Sequence, residues 1–308
     1  MKPRPYFLLT ISPLLTLTAL FCVLLLPGCD RAVTVTPVPY TGKISIQSLI
    51  TSGQYPTVYI NRTVPYFDAR VLPGQLFVRS AQVTMSSSES SEVLRADSVF
   101  NPIRCEPAYF FRGRLPVRAN QTYTLTVRVE GVVYSASATT NQRKVNIDKL
   151  GYVTVFTDIY GGHEGLVFTL TDPVGRGDYY RYDMGRLISD TVISVQGSIS
   201  YCTIGKPTFI RETGRVVYTD QTNDGSTITF TAEPGYIHRK NQAGYARLQT
   251  IDKATYDFYD NLDRQKQAQY NPFVEPVYLR NPGQFGPDAF GVFGAYAVSD
   301  SVRFMFPE

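Results

Sequence analysis

The chain has 308 residues, of which 43% are hydrophobic and 18% are charged, and its formal net charge is +4. This composition belongs to a globular protein and excludes a disordered chain, which would carry fewer apolar residues and a larger net charge. A nearly neutral charge without a basic cluster argues against a nucleic-acid partner. The length allows one large domain or two ordinary ones.

Residues 1–28 have the pattern of a bacterial lipoprotein signal peptide. Lys2 and Arg4 precede an uncharged apolar run over residues 7–26, and Gly28 stands directly before Cys29. The alternative is an uncleaved membrane anchor, which needs about 20 apolar residues. The small residue before Cys29 favours cleavage. We therefore predict that the mature chain begins at Cys29 and is attached to a membrane through acyl chains on this residue.

Residues 29–42 are expected to form a tether, because they contain prolines and β-branched residues without a helical pattern. Fully extended, residues 30–42 would reach roughly 40 Å. Residues 43–140 follow with short alternating runs of Val, Ile, Tyr and Thr, which predict about seven strands. The runs are KISIQSLI, PTVYINRTV, QLFVRSAQVTM, QTYTLTVRV and VVYSASATT, with a turn at Glu130-Gly131. We predict an immunoglobulin-like or transthyretin-like β-sandwich here.

The polar stretch 141–148 predicts a linker, followed by a second, mainly β domain over residues 149–308. Its predicted strands include GYVTVFTDI, GLVFTLTD, YYRYDMGRL and TVISVQGS, and RVVYTDQTNDGSTITFT is expected to form a hairpin. One helix is predicted over about 252–268, with Asp252 as its N-cap. Ala254, Phe258 and Leu262, with Tyr259 beside them, predict its apolar face. The fold class is therefore all-β with one helix in the C-terminal region.

Of the four cysteines, Cys105 and Cys202 remain for the folded body if Cys22 leaves with the signal peptide and Cys29 is lipidated. Outside the cytoplasm these two can pair, but two isolated thiols do not make a disulfide framework. We expect them to be reduced and mostly buried.

Several segments resemble a known family, domain-of-unknown-function family 4249. The resemblance is carried by IDKATYDFYDNL, NPFVEP and FGVFGAYAVSDSV in the C-terminal part and by TVYINRTVPYF, TYTLTVRVEGVVYSA and GDYYRYDM before them. It implies an outer-membrane lipoprotein of Bacteroidota, often encoded beside a TonB-dependent receptor. It implies no enzyme activity and supplies no catalytic residues.

We therefore expect a lipid-anchored outer-membrane protein that acts as a ligand-binding or accessory subunit of a TonB-dependent nutrient-uptake system. Whether it faces the periplasm or the cell surface stays open. The alternatives are an extracytoplasmic enzyme with an unrecognised site and a structural or adhesive surface protein. The hydrolase motifs G-x-S-x-G, S-x-x-K and H-E-x-x-H are absent from the sequence, and nothing in it singles out a catalytic pair of carboxylates, so no catalytic residues are predicted. No cofactor is expected either.

Tyr180, Tyr182 and Arg181 are candidate ligand contacts, because aromatic faces stack on sugars or flat ligands and Arg181 suits an anionic group. Since residues alternate along a strand, Tyr180 and Tyr182 share one face, while Arg181 and Asp183 share the other. Core tyrosines and a cross-strand ion pair are the alternative, and an ordinary β-strand favours it.

The segment 220–231 partly matches a calcium-binding loop, with Asp220, Thr222, Asp224 and Thr231 at ligand positions. A turn explains these residues with fewer assumptions, so no metal site is predicted. His163 and His238 lack further ligands at zinc spacing and are expected in surface loops.

Three Asp-Ser/Thr-Val triplets fit the O-glycosylation acceptor pattern of Bacteroidota, with Ser98, Thr191 and Ser301 as candidate acceptors. The alternative is that each triplet is an ordinary strand start.

Overall fold

The computed structural model of the chain describes residues 42–64, 73–101, 105–158, 161–188, 208–214, 216–234, 241–270 and 284–307. The segment Gly42–Glu308 forms one compact unit. The predicted signal peptide, Cys29 and nearly all of the tether lie outside the described residues. None of the helices within these ranges has the length and hydrophobicity of a membrane span.

Strands dominate the described part of the chain. Its first half contributes seven of them: β1 (Ile44–Ile50), β2 (Thr57–Arg62), β3 (Gln82–Ser86), β4 (Ser91–Asn101), β5 (Glu106–Arg112), β6 (Thr122–Val129) and β7 (Val132–Thr139). The second half contributes nine: β8 (Lys149–Asp158), β9 (Gly161–Thr171), β10 (Tyr179–Ile188), β11 (Thr208–Thr213), β12 (Tyr218–Thr219), β13 (Thr227–Ala232), β14 (Ala243–Ile251), β15 (Ala289–Val298) and β16 (Val302–Met305). Two helices accompany them in these ranges, α1 (Pro73–Leu76) and α2 (Lys253–Tyr270). The prediction of a mainly β fold is confirmed.

The described strands form two sheets. The larger has thirteen strands, with the main order β11-β10-β14-β15-β1-β2-β5-β4-β3-β6-β7, while β12 pairs with β10 and β16 with β14. The smaller sheet has the order β13-β9-β8. All pairs are antiparallel except β1 and β15, which run parallel with Ile44 opposite Ala289. The pairing of β1 with β15 joins the two halves of the chain.

The larger sheet bends at β4, which pairs with β3 up to Leu94 and with β5 from Arg95 onward. Strands on the two sides of this bend contribute buried side chains to one core, which includes Ile46, Leu125 and Phe293. This arrangement places two layers of strands around a common apolar interior, as in a β-sandwich.

A second core lies in the second half of the chain and includes Phe168, Tyr180, Leu248 and Phe306. Apart from Phe285 and residues of β15, the first core comes from residues 44–138, and the second core includes Val145 and Ile147 of the predicted linker. Because the sheet continues through β1 and β15, the division at residues 141–148 stays a prediction.

The hairpin of β6 and β7 follows the sequence pattern closely. Tyr123, Leu125 and Val127 are buried, whereas the residues between them are half-buried or exposed. Glu130 and Gly131 connect the strands with φ angles of 51° and 87°. Two successive positive φ angles belong to a type I′ turn, whose twist matches that of the flanking strands.

Two strand predictions are wrong in detail. The segment beginning at Gln75 does not form one strand, because α1 occupies its start and β3 begins only at Gln82. The strands flanking Asn223-Asp224-Gly225 do not pair as a hairpin: β12 pairs with β10, whereas β13 pairs with β9 in the other sheet. The chain turns there, as predicted, but it crosses between sheets. The predicted strand TVISVQGS lies outside the described residues.

Helix α2 begins where the sequence predicts. The Oδ1 atom of Asp252 accepts a hydrogen bond from the backbone N–H of Thr255 at 2.9 Å, so Asp252 is the N-cap. The Oδ2 atom of the same carboxylate accepts the N–H of Ala295 in β15 at 2.8 Å, which ties the helix to the sheet.

The buried face of α2 differs from the predicted one. Thr255 and Tyr259 are buried, while Ala254, Phe258 and Leu262 are only half-buried. The reason is the contact with β15, where Gly294 leaves room for the side chain of Thr255. The helical pattern alone does not predict this contact, because the space is left by Gly294, which is 39 positions after Thr255.

Cys105 is disulfide-bonded and half-buried, so the prediction of a reduced, buried thiol at this position is wrong. The other three cysteines lie outside the described residues, Cys202 among them. Cys105 also has a positive φ of 56°, an uncommon conformation for a residue with a side chain.

Candidate functional site

A cleft of about 970 Å³ lies where residues from β1, β2 and β5 face residues from β10, β14, β15 and α2. This volume lies within the range of about 300–1,000 Å³ that is usual for ligand sites. Five tyrosines contribute to its lining: Tyr55, Tyr59, Tyr109, Tyr259 and Tyr296. The two halves of the chain thus build one concave site.

Strand alternation explains which side chains reach the cleft. In β2, Val58 and Ile60 enter the first core, so Tyr59 between them faces the cleft. In β1, Gln47 lies opposite Tyr59 in the strand register and faces the same way. Successive strand residues point to opposite faces of the sheet, and the core therefore dictates the cleft lining.

The same rule operates on the other wall. Arg181 in β10 and Gln249 in β14 are register partners, and both line the cleft. Their neighbours Tyr180 and Leu248 belong to the second core. A pair of polar side chains is thus held side by side on the wall opposite Tyr59.

Arg181 is the main charged group of the cleft. Its side chain is 7% exposed, and its Cζ atom lies 3.9 Å from the centroid of the Tyr259 ring, which is a cation–π contact. Its Nε donates a hydrogen bond to the carbonyl oxygen of Gly214. Among the described residues Arg181 forms no ion pair with a carboxylate. A buried cation without an anionic partner favours a bound anion.

Two further residues of the lining, Ser48 and Gln249, have buried polar atoms without a hydrogen-bond partner in the part of the chain that the structure describes. Only Gln249 shares a face with Arg181, because alternation in β1 puts the Ser48 side chain on the core face with Ile46 and Ile50. The Oγ atom of Ser48 and the Oε1 atom of Gln249 are buried and have no hydrogen-bond partner among the described residues. Ser48 is 2% exposed and Gln249 is 7% exposed. Leaving such atoms unpaired costs about 1–3 kcal/mol each. A polar ligand in the cleft would remove this cost at Gln249.

Two tyrosines of the cleft, Tyr59 and Tyr296, have a raised pKa, which favours their neutral hydroxyl form. Burial raises the pKa of Tyr59 above its ordinary value. The pKa of Tyr296 is also raised, first by burial and then by the negative charge of Asp183. The Tyr259 hydroxyl already accepts a hydrogen bond from Nε2 of Gln47, which fixes the position of its ring under Arg181.

The three residues predicted to contact a ligand, Tyr180, Arg181 and Tyr182, do not lie on one face of β10. Arg181 lines the cleft, but Tyr180 and Tyr182 are 0% and 7% exposed in the second core, so the prediction that they contact a ligand is wrong. Tyr180 donates a hydrogen bond to Asp172, and burial is the main cause of its raised pKa. Tyr182 donates to the carbonyl oxygen of Glu233 at 2.8 Å. Alternation puts them on the face opposite Arg181.

The cross-strand ion pair considered for this strand is present. Asp183, which is 2% exposed, pairs with Arg247, its register partner in β14. Arg211 approaches the same carboxylate from β11 at 3.8 Å. The two guanidinium groups share the single carboxylate of Asp183, and Arg181, on the same strand face, has no carboxylate partner among the described residues.

An aspartate cluster lies away from the cleft. Asp172, Asp220 and Asp224 have carboxylate oxygens within 4.8 Å of one another. The sequence pattern had included Asp220 and Asp224 but not Asp172, which follows β9. The cluster bonds loop amides: Asp172 accepts the N–H of Gly225, Asp220 that of Gly177, and Asp224 that of Gly175. These bonds account for the cluster as a cross-link between loops.

The histidine prediction is only partly testable. His163 lies within β9, not in a surface loop, and its side chain is half-buried. Its Nδ1 atom lies 3.1 Å from Oε1 of Glu233, which follows β13. The two glycines before His163 are typical of a loop, but β9 begins at Gly161 and includes both of them. His238 lies outside the described residues.

The candidate glycosylation sites have different settings. Ser98 is exposed in the middle of β4, so its triplet is not a strand start. Ser301 is exposed directly before β16, which begins at Val302. Thr191 lies outside the described residues. Glycosylation at these residues stays a prediction.

Most of the cleft residues were not identified from the sequence. Gln47, Ser48, Tyr59, Gln249 and Tyr259 come from three strands and a helix that are far apart in the chain. Tyr59 carries the clearest signal, an aromatic residue between the buried apolar neighbours Val58 and Ile60. That signal does not tell which strands are adjacent.

A family model described as "Domain of unknown function (DUF4249)" matches residues 32–301. No curated protein matches the chain. The match covers all the described strands up to β15 and every residue of the cleft.

Proposed function

The chain belongs to the DUF4249 family, and we propose that it is a lipid-anchored outer-membrane protein that binds a saccharide with an acidic group for a TonB-dependent nutrient-uptake system. The cleft is the binding site. The observation that carries this proposal is the buried guanidinium of Arg181, which faces the cleft without a carboxylate partner among the described residues.

Aromatic rings and polar side chains together favour a saccharide. Tyrosine combines a flat apolar face with a hydroxyl group, so it packs against a sugar ring and bonds its hydroxyls. The unpaired Oε1 atom of Gln249, whose side chain shares a strand face with Arg181, accepts a hydrogen bond from such a hydroxyl. The guanidinium of Arg181 matches a carboxylate in shape and charge.

Binding is favoured over catalysis by the chemistry of the lining. Glu106 is the one carboxylate among the described residues that line the cleft. Glycoside hydrolysis normally uses two carboxylates on either side of the scissile bond. The lining therefore supports a role in capture of the ligand.

The anchor and the partner rest on the sequence. Cys29 at the predicted start of the mature chain supports lipid attachment, and a tether of roughly 40 Å lets the body reach a neighbouring barrel. The family resemblance implies a TonB-dependent receptor as that neighbour. A tethered binding protein raises the local concentration of its ligand at the mouth of the receptor.

Arg181→Gln is expected to weaken binding of digalacturonate, a two-residue acidic saccharide, by at least about tenfold, because it removes a charge-assisted hydrogen bond. Isothermal titration calorimetry on the purified protein measures the affinity. Arg303→Gln, which removes an exposed charge outside the cleft, serves as the matched control. Equal affinities for wild type and Arg181→Gln, or no binding of digalacturonate by wild type, would contradict the proposal.

The partner is tested separately. Gentle detergent extraction followed by pull-down on this protein is expected to recover a TonB-dependent receptor in near-stoichiometric amount. A stable complex needs about 800 Å² of contact surface on each partner. If the protein runs alone, and its deletion leaves growth on acidic saccharides unchanged, its assignment to an uptake system is wrong.

A further inference from the structure

A second concavity, of about 490 Å³, adjoins the cleft at Tyr55, which lines both. We call it the arginine groove, because its lining includes Arg95, Arg112 and Arg114. All three arginine side chains are exposed. A ligand that leaves the cleft past Tyr55 therefore enters a basic surface.

The strand register brings two of these charges together. Arg95 in β4 lies directly opposite Arg112 in β5. Opposite residues of an antiparallel pair have Cβ atoms about 5 Å apart, and like charges there are destabilising. Arg114 follows two positions after Arg112, beyond Gly113.

The nearby acidic side chains do not neutralise this cluster. None of the three arginines forms an ion pair with a carboxylate in the part of the chain that the structure describes. Asp97 lines the groove, and its Oδ1 atom accepts the N–H of Ser98 at 2.8 Å. The Glu92 carboxylate accepts the backbone N–H of Arg114 and Leu115. The groove keeps an excess of positive charge.

Tyr55 lines both concavities, and its ring contacts one arginine of the groove. Its ring is 48% exposed, and the Cζ atom of Arg112 lies 5.5 Å from the ring centroid. A sugar ring stacked on Tyr55 would hold its acidic group beside Arg112. Guanidinium groups bind carboxylates through paired, charge-assisted hydrogen bonds.

We propose that the arginine groove is a second acid-binding subsite, so that the protein binds an oligosaccharide with several acidic groups, one at Arg181 and others at Arg95, Arg112 and Arg114. This inference rests on the proposed function, because the cleft must hold one end of the ligand. It adds the substrate class: an acidic oligosaccharide longer than a disaccharide.

The test compares two lengths of one saccharide. The variant Arg95→Gln/Arg112→Gln/Arg114→Gln is expected to weaken binding of hexagalacturonate by at least about tenfold and to leave binding of digalacturonate unchanged. The control Arg128→Gln/Arg176→Gln/Arg303→Gln removes the same charge from exposed positions outside the groove and should change neither affinity appreciably. Because all six arginines are exposed, the variants should retain the wild-type circular dichroism spectrum and melting temperature.

Each failure has a distinct meaning. If the groove variant binds hexagalacturonate as tightly as wild type while Arg181→Gln loses digalacturonate, the groove proposal is wrong and the proposed function stands. If Arg181→Gln changes neither affinity while the groove variant loses hexagalacturonate, the cleft is not the site and both assignments fall. If neutral maltohexaose or hexaglutamate binds more tightly than hexagalacturonate, the proposal that the ligand is an acidic oligosaccharide is wrong.

Discussion

Gly291→Ala is expected to destabilise the protein by at least about 4 kcal/mol, the range of the most damaging single substitutions. Gly291 has a φ of +139°, and a Cβ atom at this position would overlap the carbonyl oxygen of Ile46. That oxygen belongs to β1, the parallel partner of β15. The overlap cannot be relieved by a side-chain rotation, because the obstacle is backbone. The substitution therefore separates the two strands that join the halves of the chain.

Urea-induced unfolding measures this effect through tyrosine fluorescence, because the chain has no tryptophan. Gly286→Ala is the matched control, since Gly286 also has a positive φ, of +87°, but no atom lies within 4 Å of the added Cβ. It should cost only about 1–2 kcal/mol, the price of the backbone conformation. Equal losses for the two variants would show that the close approach to Ile46 is not the cause.

Gly294, three residues further along β15, has a related role. A Cβ atom there would overlap Oγ1 of Thr255 and come within 2.8 Å of Oδ1 of Asp252. The glycine therefore lets the first turn of α2 approach the sheet. The stretch GVFGAY, one part of the family resemblance, thus has a structural explanation at both of its glycines.

The sequence predicts local features well where one strand or helix determines them. The alternation of β6, the turn at Glu130-Gly131 and the N-cap at Asp252 all depend on neighbouring residues, and all three are confirmed. The errors arise where distant elements meet. The buried face of α2 depends on Gly294, and the turn at Gly225 connects two sheets because β12 and β13 have different partners.

The cleft shows the same division. Its two walls meet because β15 inserts beside β1, a parallel pairing between opposite ends of the chain. No sequence periodicity records such a pairing, so Tyr59 and Arg181 could not be placed on facing walls in advance. The charge of Arg181 makes it a candidate ligand contact, and Arg181 does line the cleft. The aromatic rings of Tyr180 and Tyr182 make them candidates too, but these rings pack in the second core.

Cys29→Ala is expected to abolish incorporation of labelled fatty acid and to release the protein from membranes. Only a cysteine thiol can carry the thioether-linked lipid of a bacterial lipoprotein, and each buried methylene of its chains contributes about 0.8 kcal/mol to membrane attachment. Once the signal with its apolar run over residues 7–26 is cleaved off, a tether without these chains has no apolar segment to hold the body at a bilayer. Metabolic labelling and membrane sedimentation measure the two effects. Cys22→Ala is the matched control: it removes a thiol from the apolar run of the signal and should label like wild type. If Cys29→Ala labels as strongly as wild type, the protein is not a lipoprotein, and a binding role at the outer membrane loses its anchor.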